Sequence, residues 1–178
     1  MTKKNKKEDG DFKEASKVLP HPNTIRFIKC HTDEELKKLY NYDVDVFAEA
    51  GDFDWSLENL KKEKKQGWEI YSVEQHHEII AAVFLRFDND KLETKNTSIK
   101  MTFQGQGFSH RIKDFYEHLA RAHKVSSIIH YCAVDNFRAI ALNESHGYKR
   151  VQTLKNGEVI EWEKKIAPLT LTTPTKSS

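Results

Sequence analysis

The sequence predicts an α/β (α+β) fold in which an antiparallel meander of strands leads into a strand-turn-helix unit. Three observations predict it. Segments rich in β-branched and aromatic residues alternate with polar turns between residues 68 and 101. A strongly amphipathic helical pattern begins at Phe108. Near the end, Asn156-Gly157 separates two strand-like segments, which is a strong hairpin signal.

Length and composition predict one folded domain between polar ends. A chain of 178 residues suits a single domain with its own core. Residues 1–23 are polar and rich in lysine, and residues 168–178 are rich in Thr, Pro and Ser, so we expect a flexible leader, a domain over 24–167 and a flexible tail. No apolar run approaches the roughly 20 residues of a membrane span, and none follows the basic N-terminus as in a secretory signal.

The charge pattern argues against a nucleic-acid binder. Charged residues make up 31% of the chain, yet their signs are mixed and the net charge is only +2.

Cys30 and Cys132 lie far apart in apolar, strand-like segments, which is typical of small buried side chains. No helix or loop spaces histidines for a metal. We therefore expect a cytoplasmic, reduced protein with no metal and no nucleic-acid or membrane partner.

The first half of the domain is predicted to run strand, helix, helix and then three strands. Residues 25–30 alternate as a strand, and Thr32 and Glu35 have the spacing of a capping box. A second, lysine-rich helix begins after Ser56 and ends near Gly67. Strands over 68–74 and 78–86 flank a turn at 75–77, and a more polar strand over 92–101 follows the turn at 88–90. The first helix carries apolar residues at helical spacing: Leu36, Leu39, Tyr40, Val44 and Phe47.

The second half is predicted to be helix, strand, helix and a closing hairpin. Residues 125–134 are apolar β-formers, which favours a buried central strand. Asp135 is the expected cap of the next helix, which stops at Gly147. Strands over 148–154 and 159–166 close the chain. The third helix has one apolar stripe: Phe108, Ile112, Phe115, Leu119 and Ala122.

The turn between the polar strand and the third helix is the best candidate for a binding site. Gly105 and Gly107 carry no side chain, so the backbone can approach a ligand closely. The following helix points unpaired N–H groups and a partial positive charge at the turn, which suits a phosphate. A plain tight turn explains the two glycines equally well. The pattern is neither a P-loop nor a dinucleotide fingerprint.

Two segments together resemble a known family. Residues 104–109 (Gln-Gly-Gln-Gly-Phe-Ser) match the Gln/Arg-x-x-Gly-x-Gly/Ala motif, with Ser109 at the last place, and residues 134–148 resemble its Asn-x-x-Ala-x-x-Leu-Tyr-x-x-x-Gly-Phe segment. Over residues 25–165 the chain resembles the GNAT superfamily of N-acyltransferases. The resemblance implies a single-domain GNAT fold, a mixed, mostly antiparallel sheet with helices on both faces.

The resemblance also implies acetyl-CoA as co-substrate. Backbone N–H groups of residues 105–109 would bind the pyrophosphate, and the polar strand would pair with the pantetheine arm. Asn136 would contact the cofactor near the gap where the fourth and fifth strands diverge. Arg111 is either a phosphate ligand or a solvated helix charge. The expected cofactor-binding residues are Met101, Thr102, Phe103, Gln104, Gly105, Gln106, Gly107, Phe108, Ser109 and Asn136.

The implied reaction is N-acetylation of a primary amine by direct attack, an acyltransferase of EC class 2.3.1. Glu93 is the expected proton acceptor, with a surface role left open. A backbone N–H near residues 100–102 would stabilise the tetrahedral oxygen. Asn143 stands where the family often has a tyrosine, and asparagine donates a hydrogen bond but no proton. Ser145 and Tyr131 are candidate substitutes.

The acceptor is expected at the loop after the first helix. The loop carries two carboxylates and two aromatic rings, which suit a small amine or a lysine-like acceptor: Asp52, Phe53, Asp54 and Trp55. Alternatively, the rings pack inward and the aspartates cap the helix after Ser56. His130 and His146 are either bases or structural. Because Asn143 replaces the tyrosine, a non-catalytic acyl-CoA-binding sensor is the rival function, and a homodimer and longer acyl chains are left open.

Overall fold

The computed structural model describes residues 24–42 and 54–167, and in them seven strands form one sheet in the order β1-β2-β3-β4-β5-β7-β6. Four helices accompany the sheet, in the element order that the sequence predicts. The strands are β1 (Arg26–Lys29), β2 (Glu69–Gln75), β3 (Glu78–Asp88), β4 (Lys91–Ile99), β5 (Ser127–Ala133), β6 (Lys149–Leu154) and β7 (Val159–Lys165). The helices are α1 (Asp33–Tyr40), α2 (Leu57–Lys65), α3 (Phe108–Ala122) and α4 (Phe137–Ser145).

The sheet is antiparallel except at one place, which confirms the predicted mixed, mostly antiparallel architecture. β4 and β5 run parallel, and their pairing extends from Lys91 opposite Ser127 to Thr94 opposite His130. Beyond that point β4 continues to Ile99 and β5 to Ala133 without pairing to each other. The two strands therefore diverge, and one edge of the β4 backbone is open to the gap.

A bulge in β4 lies directly at this divergence. Lys95 pairs with Phe84 and Ser98 pairs with Ala82, so two residues of β4 stand opposite one residue of β3. Bulges of this kind bend a strand and leave the extra residue out of the ladder. The bulge thus coincides with the point at which β4 stops pairing with β5.

Helices cover both faces of the sheet, as predicted. On one face α1 and α2 pack against β2 and β3, with Leu36, Leu60 and Phe84 fully buried. On the other face α3 packs against β4 and β5, and partly buried apolar residues of α4 complete that side. The larger core cluster lies under α3 and includes residues of β2, β3, β4, β5 and β7.

Local sequence signals set most element ends. The predicted capping box of α1 is present, since Thr32 Oγ1 accepts from the Glu35 N–H at 3.1 Å and the Glu35 carboxylate accepts from the Thr32 N–H at 2.8 Å. Ser56 caps α2 as expected. The expected apolar positions Val44 and Phe47 lie outside the described residues, as do the predicted leader (1–23) and tail (168–178).

Two predictions about the second half were wrong. The cap of α4 is Asn136, whose Oδ1 accepts from the Ala139 N–H at 3.0 Å, and not Asp135. Both residues suit a cap, and the chain enters the helix one residue later than expected. Ala122 is exposed at the last position of α3. The buried side of α3 is instead shifted around the helix: Phe108, Ile112, Lys113, Tyr116 and Ala120.

Turns join the strands where the sequence predicts them. His76 and His77 both adopt positive φ in the β2–β3 turn, as a tight hairpin with right-handed strand twist requires. Asn156 and Gly157 also have positive φ between β6 and β7. Within the described residues, no helix combines the length and apolar character that crossing a membrane requires.

Candidate functional site

The carboxyl ends of the two parallel strands mark the candidate site. After β4 the chain makes a turn and begins α3, and after β5 it makes a turn and begins α4, so both helix N-termini lie at this edge. Arg138 Nη1 donates to Gln104 Oε1 at 3.2 Å and joins the two turns. Ligands of sheets with parallel strands commonly bind at such an edge, beyond the ends of diverging strands.

The glycine-rich turn is shaped for close approach of a ligand. Gly105 and Gly107 have φ of 75° and 82°, a region that glycine adopts without strain. A Cβ on either residue would meet no atom within 4 Å, so the space beside the backbone is open. Gly107 is the N-cap of α3 and offers no side chain to its first N–H groups. These groups are available to an anion.

Two glutamine side chains of the turn hydrogen-bond to backbone carbonyls that precede it. Gln104 Nε2 donates to the Ile99 carbonyl at 3.2 Å, and Gln106 Nε2 donates to the Thr102 carbonyl at 2.9 Å. The rings of Phe103 and Phe108 meet edge to face, with centroids 5.9 Å apart. The glutamine side chains therefore hold the turn in shape, and its backbone remains to contact a ligand.

The other expected cofactor-binding residues lie around the same edge. Met101 and Thr102 are exposed in a short 3-10 turn after β4, and Ser109 is half-buried in the first turn of α3. Asn136 begins α4, and its Oδ1 is already bonded to the Ala139 N–H, so its amide NH2 group is the part left to a ligand. The Arg111 guanidinium lies 5.9 Å from the ring centre of Phe108.

The catalytic candidates do not form one cluster. Glu93 and Tyr131 alternate with core residues of β4 and β5, which places both on the sheet face that carries α1 and α2. Asn143 is fully buried on the opposite face, where its Nδ2 lies 3.8 Å from Cys132 Sγ. Ser145 is exposed on the far side of α4, two residues away, and its hydroxyl donates to the Leu142 carbonyl at 2.8 Å.

Glu93 is held in an ion pair. Arg86 Nε donates to Glu93 Oε2 at 3.0 Å, and the Arg86 guanidinium also stacks 4.7 Å from the ring centre of Trp68. Burial, together with the nearby negative charge of Glu93, raises the pKa of Tyr131. This hydroxyl therefore stays protonated, so it can donate a hydrogen bond or act as an acid but cannot act as a base. Arg86, Glu93 and Tyr131 thus share one sheet face beside the β4–β5 divergence.

One expected oxyanion donor is already engaged. The Lys100 N–H donates to the Ile80 carbonyl at 2.8 Å and extends the β3–β4 ladder. Of the predicted range 100–102, the N–H groups of Met101 and Thr102 remain as candidates. The bulge in β4 lies closer to the divergence, and backbone irregularities of this kind reorient N–H groups.

The predicted acceptor loop is only partly described. Asp52 and Phe53 lie outside the described residues. Asp54 is exposed and accepts from Asn59 Nδ2 at 2.9 Å, in the first turn of α2. Trp55 is buried, its ring meets Phe84 edge to face, and its Nε1 donates to the Tyr40 carbonyl at 3.4 Å. Trp55 therefore packs inward and Asp54 supports α2, which is the alternative that the sequence left open.

The histidines left open as bases both have structural partners. His130 is buried, and its Nδ1 lies 2.9 Å from Thr94 Oγ1, whose own proton goes to the Ile129 carbonyl. His130 Nδ1 is thus the donor in this contact. Burial and the charge of Lys113 hold the pKa of His130 well below its usual value. His146 contacts His110 at 2.9 Å, on the outside of α3.

Sequence reasoning missed a buried polar group under α3. Lys113 is only 3% exposed, and its Nζ has no hydrogen-bond partner among the described residues. It lies 4.3 Å from the ring centre of Tyr148, whose hydroxyl is also buried without a partner. Burial lowers the pKa of Lys113 to about 7. Its spacing of three residues from Tyr116 and seven from Ala120, both on the buried side of α3, was the available signal, but a lysine counts as polar in such a pattern.

Comparison with known proteins identifies the family. The family model described as "Acetyltransferase (GNAT) family" matches residues 28–148. None of the curated proteins compared with the chain matches it significantly.

Solved structures share the fold at low sequence identity. The ribosomal-protein-S18-alanine N-acetyltransferase from Escherichia coli is 16% identical, with a TM-score of 0.67 over 84% of this chain and 99% of that chain. The PaiA N-acetyltransferase from Thermoplasma acidophilum, in complex with coenzyme A, is 16% identical, with a TM-score of 0.66 over 80% of this chain and 99% of that chain. The spermidine N-acetyltransferase from Vibrio cholerae, in complex with CoA and spermine, is 16% identical, with a TM-score of 0.64 over 80% of this chain and 95% of that chain.

The match to the family model agrees with the structure of the site. There, two parallel strands diverge and a glycine-rich turn lies at their open end. The family model covers the chain from Ile28 in β1 to Tyr148, the residue before β6, and thus both halves of the candidate site. The protein belongs to the acetyltransferase (GNAT) family.

Proposed function

We propose that this protein is an N-acetyltransferase that moves an acetyl group from acetyl-CoA to a primary amine by direct attack. One observation carries the proposal: an open glycine-rich turn, capped by no side chain, begins α3 at the end of a strand whose free edge borders a gap. The turn suits a diphosphate, and the free strand edge suits an extended amide-containing arm.

The residues present fit acetyl-CoA. When bound, acetyl-CoA supplies an acetyl group activated as a thioester. The N–H groups of residues 105–109 would hold the pyrophosphate, with Gln104 and Gln106 keeping the turn in shape. The edge of β4 beyond Thr94 would hydrogen-bond the pantetheine arm and direct it into the gap.

We assign the removal of the amine proton to a residue on the sheet face that carries α1 and α2. A primary amine has a pKa near 10.4 and must lose a proton before it can attack. Glu93 is the carboxylate beside the divergence, and it would accept this proton directly or through water. Arg86 would fix its orientation through the Nε contact at 3.0 Å.

Departure of the thiolate needs little help from the protein. A thiol of pKa near 8.5 is a fair leaving group at neutral pH. Asn143 is fully buried beside Cys132 and, as an amide, supplies no proton, and Ser145 lies on the far side of α4. Tyr131 remains a candidate acid, because its raised pKa keeps the hydroxyl protonated.

The acceptor is proposed as a small amine or a lysine-like side chain. Although the Asp54 carboxylate accepts a hydrogen bond from Asn59, it is exposed near the start of α2, and its negative charge supports a cationic acceptor. The rival function, an acyl-CoA-binding module without turnover, is supported by the buried amide at Asn143.

Thiol release with a panel of amines, measured beside isothermal titration with CoA, separates the two functions. Binding with amine-dependent thiol release supports the enzyme. Binding without release across polyamines, amino-acid amides and lysine peptides supports the binding module. Absence of CoA binding rejects both.

A further inference from the structure

A second group of ligand-type side chains lies on the outer side of α3, away from the proposed acyl-transfer gap. His110, Asp114 and Glu117 are spaced by four and three residues and share one helix face. His146, the C-cap residue of α4, lies against them. The reaction proposed above gives this group no role.

The possible ligand atoms of three of these side chains lie close together. One ligand atom each from Asp114, Glu117 and His146 lies within 4.8 Å of the others. His146 Nδ1 is 3.9 Å from Glu117 Oε1, and both side chains are largely shielded, at 12% and 19% exposure. We propose that Asp114, Glu117 and His146 bind a divalent transition-metal ion of the Zn²⁺ class.

His110 prepares His146 for this role. His110 Nδ1 and His146 Nε2 are 2.9 Å apart, so one of them carries the proton that joins them. When Nε2 of His146 donates, its Nδ1 carries a free lone pair on the side of Glu117. Metal-binding histidines are commonly oriented by such a second contact on the other ring nitrogen.

The charge around the site both favours and opposes a cation. Asp114 and Glu117 supply two negative charges. Lys164 Nζ donates to Glu117 Oε1, and Arg121 Nη2 lies 3.6 Å from Glu117 Oε2. The Lys164 ammonium thus competes with an ion for the same oxygen. An ion must displace it, and loss of this lysine should strengthen binding.

The donor set selects the kind of ion. One imidazole nitrogen and two carboxylates match Zn²⁺, with bond lengths of roughly 2.0–2.2 Å and water at the remaining positions. Mg²⁺ prefers a shell of oxygen atoms only and keeps most of its water. The bound ion would join the middle of α3 to the end of α4.

Titration of ZnCl2 into the chelator-treated full chain tests the proposal, with the Co²⁺ absorption spectrum as a second probe of the ligands. The wild type should bind one equivalent of Zn²⁺. Asp114→Asn, at an exposed position that should not disturb folding, and His146→Gln should weaken binding about tenfold or more. Lys164→Met should tighten it. The double variant His76→Asn/His77→Asn, at an exposed turn, should bind like the wild type.

Three results would overturn the site. One is absence of a stoichiometric Zn²⁺ signal. Another is binding that survives both Asp114→Asn and His146→Gln but is lost with the His76 and His77 variants, which would place the ion at the β2–β3 turn. The third is equal competition by Mg²⁺, which would indicate only diffuse attraction to the two carboxylates.

Discussion

The guanidinium of Arg138 donates to the side-chain oxygen of Gln104 at 3.2 Å, and so connects the first turn of α4 to the turn that precedes α3. Gln104 in turn donates to the carbonyl of Ile99 at the end of β4. One glutamine therefore contacts both sides of the gap between the diverging strands. The contact with Arg138 is exposed, so it contributes little to folding. Its effect should appear in ligand affinity.

Arg138→Ala is expected to weaken CoA binding about three- to tenfold without changing the melting temperature measurably. The reason is that the start of α4 loses its tie to the glycine-rich turn, and the free protein samples more arrangements of the site. Isothermal titration and thermal unfolding measure the two quantities. Arg150→Ala removes a comparable exposed hydrogen bond to Thr153 on β6 and should leave CoA affinity unchanged. Equal losses in both variants would contradict the role of the contact.

Gly107→Ala should reduce CoA affinity by more than it reduces stability. The residue has φ of 82°, and alanine there costs about 1–2 kcal/mol in backbone strain. Its Cβ meets no protein atom, so any further loss reports on a ligand in that space. Gly147→Ala is the matched control, because Gly147 has φ of 76° and equally open surroundings at the end of α4. If both variants bind CoA equally, the turn is not the pyrophosphate site.

Glu93→Gln should slow amine acetylation about 100-fold or more while CoA affinity stays the same, since a carboxamide cannot accept the proton. Arg86→Met breaks the same ion pair but keeps the carboxylate, so it should lose only the orientation of Glu93 and cost much less activity than Glu93→Gln. Steady-state kinetics and melting temperatures on both variants separate the two roles. Equal activity losses that follow equal losses of stability would show that Glu93 acts only through the ion pair.

Lys113→Met should raise the free energy of unfolding by about 1–4 kcal/mol at neutral pH, because a buried ammonium is replaced by an apolar chain of similar volume. Burial lowers the pKa of Lys113 in the folded protein to about 7 from an ordinary 10.5. Between these values the unfolded chain binds more protons, so the wild type should gain stability as the pH rises from about 7 to 10.5.

Urea unfolding at pH 7 and pH 9 measures this slope. In the Lys113→Met variant, the free energy of unfolding should rise less between pH 7 and pH 9 than in the wild type. Lys149→Met, at an exposed position of β6, should show the same rise as the wild type. A wild type with no dependence on Lys113 across this interval would mean that the ammonium is hydrated in solution.

The sequence predicted the elements well because their signals are local. The capping box at Thr32 and Glu35 and the Asn156-Gly157 turn involve residues a few positions apart. The site was harder to predict. The gap between β4 and β5 depends on where pairing stops after Thr94, which no local pattern specifies, and it was expected only through the resemblance to a family.

Side-chain environments were predicted least reliably. Trp55 was a candidate for contact with an amine, yet its ring fills the core beside Phe84, because burial of a large apolar surface outweighs its position in a polar loop. The charge of Lys113 predicted a surface position, although the side chain is buried on the inner side of α3. The approach of His146 to α3 joins residues 36 positions apart in the chain, so sequence spacing gave no sign of it.

The parallel pairing of β4 with β5 also has a kinetic consequence. Thr94 meets His130, which lies 36 positions further along the chain, whereas β2, β3 and β4 form consecutive hairpins. Contacts between distant segments form slowly, since the loop between them must be closed before the contact stabilises it. We therefore expect the meander to assemble early and the edge that holds the cofactor to be among the last parts to mature during refolding.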